Sequence, residues 1–184
     1  MTLNEWFEKG MTFSQYIEQM TRNKESMLSV YEKLQLSNEQ VQQLEGVKER
    51  QLRAIALTED WCGDAMVNNP VLMRIAEAAN IDVRFLLRDQ NLELMDQYLT
   101  NGKSRSIPIY VFLDQEGQEY AVWGPRAAEV QAFVDEERAK LPAQDAPDFL
   151  EKQKEMHKKM VKRYMEDETV WQQVTNSIIS RLQK

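Results

Sequence analysis

The sequence predicts an α/β protein with a mixed central sheet flanked by helices, and with helical extensions at its N- and C-terminal ends. Three observations predict it. Between residues 50 and 141, short apolar runs alternate with helical periodicity in the order β-α-β-α-β-β-α. Residues 1–49 carry helix-start signatures without a strand pattern. Residues 142–184 hold two amphipathic stretches behind the loop "PAQDAP". We read these as an N-terminal extension, a central domain and a C-terminal extension packed on that domain.

Each element has a local cause. "TFSQYIEQM" opens with a capping box from Thr12 to Gln15, and Phe13, Tyr16, Ile17 and Met20 then share a face. Met27, Leu28, Tyr31 and Leu34 continue it. "LSNEQVQQLEG" repeats the signature at Ser37 and Gln40, with Gly46 expected to stop the helix. "LRAIALTE" is a strand, and "GDAMVNNPVLMRIAEAAN" a helix with Pro70 inside it. "IDVRFLLRD" is a second strand, and "NLELMDQYLTNG" a second helix ending at Gly102. "IPIYVFLDQEGQEYAVWG" reads as a hairpin around D-Q-E-G, and "RAAEVQAFVDEERAKL" as the closing helix. Last come "DFLEKQKEMHKKMVKRYM", basic along one side, and "ETVWQQVTNSIISRL", apolar along one face.

Composition narrows the function. A net charge of −7 argues against nucleic acid and anionic membranes, which both want a basic face. Flanking acids make the run "KKMVKR" at 158–163 a solvated helix face. No apolar run is long enough to span a bilayer, and "MTLNEWFEKG" lacks the features of a secretory leader. One cysteine excludes an internal disulfide and a CxxC metal pair, and one histidine beside it leaves no zinc set. We therefore expect a cytoplasmic protein with no metal and no cofactor. Its oligomeric state is not legible.

The single cysteine, Cys62, stands where the first strand runs into a helix, in "TEDWCGDA". Free N–H groups at a helix start favour a thiolate. Gly63 leaves room over the sulfur, and Trp61 offers an apolar wall. Glu59, Asp60 and Asp64 act the other way by charge. A buried inert cysteine and a reactive one both fit. His157 is far away in sequence, and Lys103 and Arg105 read as solvated loop charges. Trp123 and the ten methionines read as core.

"DWCGDA" resembles the thioredoxin active-site motif W-C-G-P-C, with Trp61, Cys62 and Gly63 matching. Pro70 matches the proline that kinks the active-site helix, and Arg88 to Asn91 resembles the D-Q-N that ends the next strand. "SIPIYVF" resembles the segment in which Ile107 precedes a cis-proline, here Pro108, and Gly124 falls at a family glycine. The resemblance covers residues 50–141 and implies the thioredoxin fold, with Cys62 facing the Pro108 loop. It also implies that Ile107 pairs with an extended substrate peptide, beside Trp61, Gly63 and Asp64. Taken alone, Ser106-Ile107-Pro108 also reads as a strand start with a trans proline.

The departures weigh as much. The resolving cysteine is Ala65, the motif proline is Asp64, and the family's buried acid is Ala56. The nearest resemblance is to bacterial thioredoxin-like proteins carrying W-C-G-D. Two functions follow from it. One is a monothiol redox protein, an oxidoreductase without a resolving cysteine, whose Cys62 forms mixed disulfides with a protein or a low-molecular-weight thiol. The other is a catalytically inactive binding or adaptor module.

Overall fold

Arg53–Thr58 (RAIALT) is buried on both faces from Ala54 onward, and a strand with neighbours on either side satisfies its backbone while burying both. In the computed structural model, which describes residues 1–184, this strand is β1. It pairs in parallel with β2 (Asp82–Leu87) and antiparallel with β3 (Ile109–Leu113), which pairs antiparallel with β4 (Glu119–Trp123). The order is β2-β1-β3-β4, a mixed four-stranded sheet. The β3–β4 turn runs from Asp114 to Gly117, whose φ of 79° suits glycine, and Asp114 Oδ1 accepts the Gln118 N–H at 2.8 Å.

The helices are α1 (Leu3–Lys9), α2 (Phe13–Gln19), α3 (Lys24–Lys33), α4 (Asn38–Lys48) and α5 (Ala65–Ala79). After them come α6 (Leu92–Met95), α7 (Ala128–Ala139), α8 (Phe149–Glu166) and α9 (Glu168–Leu182). Thr12 and Ser37 form their capping boxes, and so does Thr2 with Glu5. α5 carries Pro70 inside it and packs against α3, α4 and α9. α1 and α2 lie against β1 and β2, where Met11 exchanges backbone hydrogen bonds with Phe85 and Tyr16 stacks on the Phe85 ring at 4.8 Å. One apolar core runs from Trp6 to Leu182 and so includes both extensions.

Two expectations are corrected. Gly46 does not end α4, which runs to Lys48, and the chain turns instead at Gln51 with φ 52°. The second helix does not reach Gly102. α6 is one turn, and positive φ at Asn101 and Gly102 folds the chain into a tight loop closed by a Thr100–Ser104 bridge.

Candidate functional site around Cys62

The loop from Glu59 to Asp64 leaves the carboxyl end of β1 and delivers the chain to the start of α5. It is held from outside by residues 21–23. The Asp60 carboxylate accepts the N–H groups of Thr21 (2.8 Å) and Arg22 (3.1 Å), and Asn23 Nδ2 donates to the Asp60 carbonyl at 2.9 Å. Glu59 turns inward and accepts the Asp89 N–H at 2.9 Å. Two of the three neighbouring carboxylates are thus committed to backbone donors.

The third, Asp64, is the electrostatic centre of the site. Its side chain is 10% exposed and pairs with Arg126, itself 13% exposed, at 2.6 Å. The Tyr164 hydroxyl of α8 donates to Asp64 Oδ1 at 2.8 Å, and Trp171 Nε1 of α9 donates to the Tyr164 carbonyl at 2.7 Å. Burial, then the Asp64 charge, raises the Tyr164 phenol well above its ordinary range. A buried carboxylate needs such partners, and here they come from the segment after β4 and from α8.

Cys62 is 8% exposed, and its Sγ donates to the Ile107 carbonyl at 3.4 Å. Burial, with the Asp64 charge second, pushes the thiol up to about 11. The N–H groups of Ala65 and Asp64 at the start of α5, and the Arg126 guanidinium, pull the other way without prevailing. Beneath the loop, Tyr110 donates to Asn69 Oδ1 (2.7 Å) and Asn69 to Thr58 Oγ1 (3.1 Å). That chain is neutral, and Ala56 is fully buried, so no carboxylate stands under the sulfur.

Ile107 and Pro108 face the thiol from the loop before β3, and the bond between them is cis. Both are buried. Gly124 backs this loop with φ 126°, and a Cβ there would come within 2.2 Å of the Pro108 carbonyl. Trp61 projects outward, 42% exposed, with the Arg88 guanidinium 4.9 Å above its ring. A Cβ on Gly63 would meet nothing within 4 Å, so space is open beside the motif.

That space is a cleft of about 440 Å³. Trp61, Cys62, Gly63 and Asp64 form one wall, and Met156, Met160, Val161 and Tyr164 of α8 form much of the other. The structure thus brings the sequence-selected residues together, with Ile107 and Pro108 behind the sulfur rather than lining the cleft. His157 reaches the cleft without a hydrogen bond to Cys62. Arg105 pairs with Asp96 at 2.7 Å and not with the thiol. Trp123 stacks on Tyr110 at 5.3 Å and is 6% exposed, as core. No group of His, Cys, Asp and Glu gathers as a metal ion needs, and no helix is long and apolar enough to cross a membrane.

Sequence reasoning missed Arg126, Tyr164 and the methionines of α8. One signal was available. A carboxylate in place of the motif proline, at the buried start of a helix, requires a cation elsewhere in the chain.

Residues 10–139 match a family model described as thioredoxin. Among solved structures, an HIV epitope-scaffold aligns with a TM-score of 0.69 and 17% identity, covering 100% of this chain and 96% of its own. A protein of unknown function from Pseudomonas aeruginosa aligns with a TM-score of 0.66 and 18% identity, covering 90% of this chain and 95% of its own. At such identities the likeness concerns the fold. No curated protein matches the chain.

Proposed function

The chain belongs to the thioredoxin family, and on that premise we propose that it is a binding module whose recognition site is the cleft beside Cys62. The thiol serves as a protonated part of the wall. One observation carries this reading: the sulfur is buried and its S–H donates a hydrogen bond to the Ile107 carbonyl. With the thiol held up at about 11, it stays protonated at neutral pH. Ala65 leaves no resolving thiol, and Ala56 no buried acid to assist a leaving sulfur. The cleft is mostly apolar with a few fixed polar groups, as recognition sites are. Its partner is a protein segment rather than nucleic acid or membrane, in keeping with the net charge of −7.

A second reading has an observation of its own. Cys62 lines the cleft, and two N–H groups at the start of α5 favour its thiolate. In that reading the thiolate attacks a disulfide of a protein or small molecule, forms a mixed disulfide and expels the other sulfur as thiolate. A second thiol from the substrate or from solution then attacks the mixed disulfide and returns Cys62.

Alkylation by iodoacetamide across pH decides between them. The binding module predicts slow labelling at neutral pH, with a midpoint in the folded protein near 11 against about 8.5 when denatured. Fast labelling at neutral pH, with a folded midpoint below the denatured one, overturns it in favour of the monothiol.

A further inference from the structure

Along α8 the cations fall into two sets. Lys152 pairs with Glu155 at 3.1 Å, Lys159 with Glu137 of α7 at 2.8 Å, and Arg163 with Asp167 at 3.2 Å. These lie on the flank that meets α7, where Arg163 also sits 4.0 Å over the Phe133 ring. Lys154, Lys158 and Lys162 make no ion pair, and all three are exposed. Their i, i+4, i+8 spacing puts them on one stripe that begins beside Val161 and His157 at the cleft mouth and drifts away from it toward Lys159 and Arg163 at Lys162. Like charges so spaced repel each other, so the fold gains nothing from the row.

Acids flank the row, yet none is within ion-pair distance of these three lysines. The one carboxylate lining the cleft, Asp64, is held by Arg126 and Tyr164, while Arg138, also on the cleft, has no ion pair. Of the other α8 acids, Glu155 is taken by Lys152, while Glu151, three residues before Lys154, and Glu166, four after Lys162, border the row without forming an ion pair to it. Apolar surface accompanies the charge. Of the six large apolar side chains left exposed, Trp61 and Val161 line the cleft and Leu150 opens the stripe one turn before Lys154. A cationic row free of ion pairs, beside exposed apolar groups, offers both kinds of contact to a complementary partner surface.

We infer that the Lys154–Lys158–Lys162 ridge, with Val161 and Trp61 beside it, docks an acidic segment of a partner protein that places an apolar side chain in the cleft. This rests on the reading of the cleft as a recognition site and names the class of partner. Charge selects among polyanions. A long nucleic acid or an anionic bilayer meets the field of the whole chain, which carries −7, whereas a short segment within roughly 8 Å of the ridge senses chiefly the ridge.

The test uses the full chain and a short fluorescein-labelled peptide of Asp and Glu around a central Leu-Trp pair, read by anisotropy. We expect saturable binding that weakens with salt. The triple variant Lys154→Glu, Lys158→Glu, Lys162→Glu should weaken it by about tenfold or more, and the triple Gln variant by less. Reversing Lys33 and Lys48, which lie away from the cleft, should change it by less than about twofold. Absence of saturable binding overturns the inference, and so does an equal loss in the Lys33 and Lys48 control. Ridge-dependent binding to phosphatidylserine vesicles without peptide binding replaces the acidic segment with a membrane. Ridge-dependent dimerisation in sedimentation, again without peptide binding, replaces it with a second copy. Cys62 labelling in the same samples keeps the two claims apart: fast labelling at neutral pH sinks the binding-module reading whatever the ridge binds, and slow labelling with no peptide bound sinks the ridge alone.

Discussion

α2 and α8 both lie outside the sequence pattern of the sheet domain, yet they join it by different means. α2 arrives through backbone and rings: Met11 and Phe85 exchange hydrogen bonds of 2.9 and 2.8 Å, and Tyr16, fully buried, stacks on Phe85. α8 arrives through polar tips over methionines, with Tyr164 on Asp64, Lys159 on Glu137, and Met156 and Met160 beneath. Rings and backbone bonds anchor a segment whatever the charge state around it. Polar tips fix where a helix sits, but their strength depends on partners that titrate or exchange. The first helix completes a core, and the second borders a cleft.

The sharpest break in this comparison is Tyr16→Ala. Removing a fully buried ring that stacks on the sheet should cost about 4 kcal/mol in urea unfolding. A loss under about 1 kcal/mol would mean that α2 is no part of the core. Asp64→Ala comes next, at about 3 kcal/mol, because it leaves the Arg126 guanidinium in a nearly buried place without its carboxylate. The same change removes a charge that raises the thiol, so the Cys62 alkylation midpoint should fall below that of the wild type. An unchanged midpoint would detach Asp64 from the sulfur.

The smallest effect is confined to alkaline pH. The folded thiol titrates near 11 and the unfolded one near about 8.5, so the folded state keeps the proton that the unfolded chain has lost between those values. The stability this contributes is complete below about 8.5 and disappears as pH rises to 11. The stability difference between wild type and Cys62→Ala should therefore shrink by about 2.5 kcal/mol between about pH 8.5 and 11. A difference that stays flat would place the thiol in solvent, on an open cleft.

The same contrast separates what the sequence makes legible from what it does not. The capping boxes at Thr12 and Ser37, the apolar run of β1 and the D-Q-E-G turn act within a few residues, and each appears as read. The helix expected to run from Asn91 to Gly102 failed for a local reason too. Leu92, Leu94 and Met95 satisfy one turn, and Asn101 and Gly102 then take left-handed conformations that end any helix. At the site, the motif placed Trp61, Cys62, Gly63 and Asp64 at the junction of β1 and α5, whereas their environment was hidden. Tyr164 meets Asp64 from 100 positions away, and no period or spacing links them. The opposed influences on the thiol could not be summed from sequence, because burial, the largest of them, is set by the packing of the whole domain.

The tie between Asp64 and Tyr164 bears on how this protein can be dissected. A fragment spanning residues 50–141 would contain every residue of the W-C-G-D motif, the Pro108 loop and all four strands. It would lack the tyrosine on Asp64, the Ser177 hydroxyl that receives the Trp123 indole N–H, and Met11, which pairs along the edge of β2. Its cysteine would face solvent where the intact chain has α8. Reactivity measured on such a piece would describe a thiol that the whole chain does not possess.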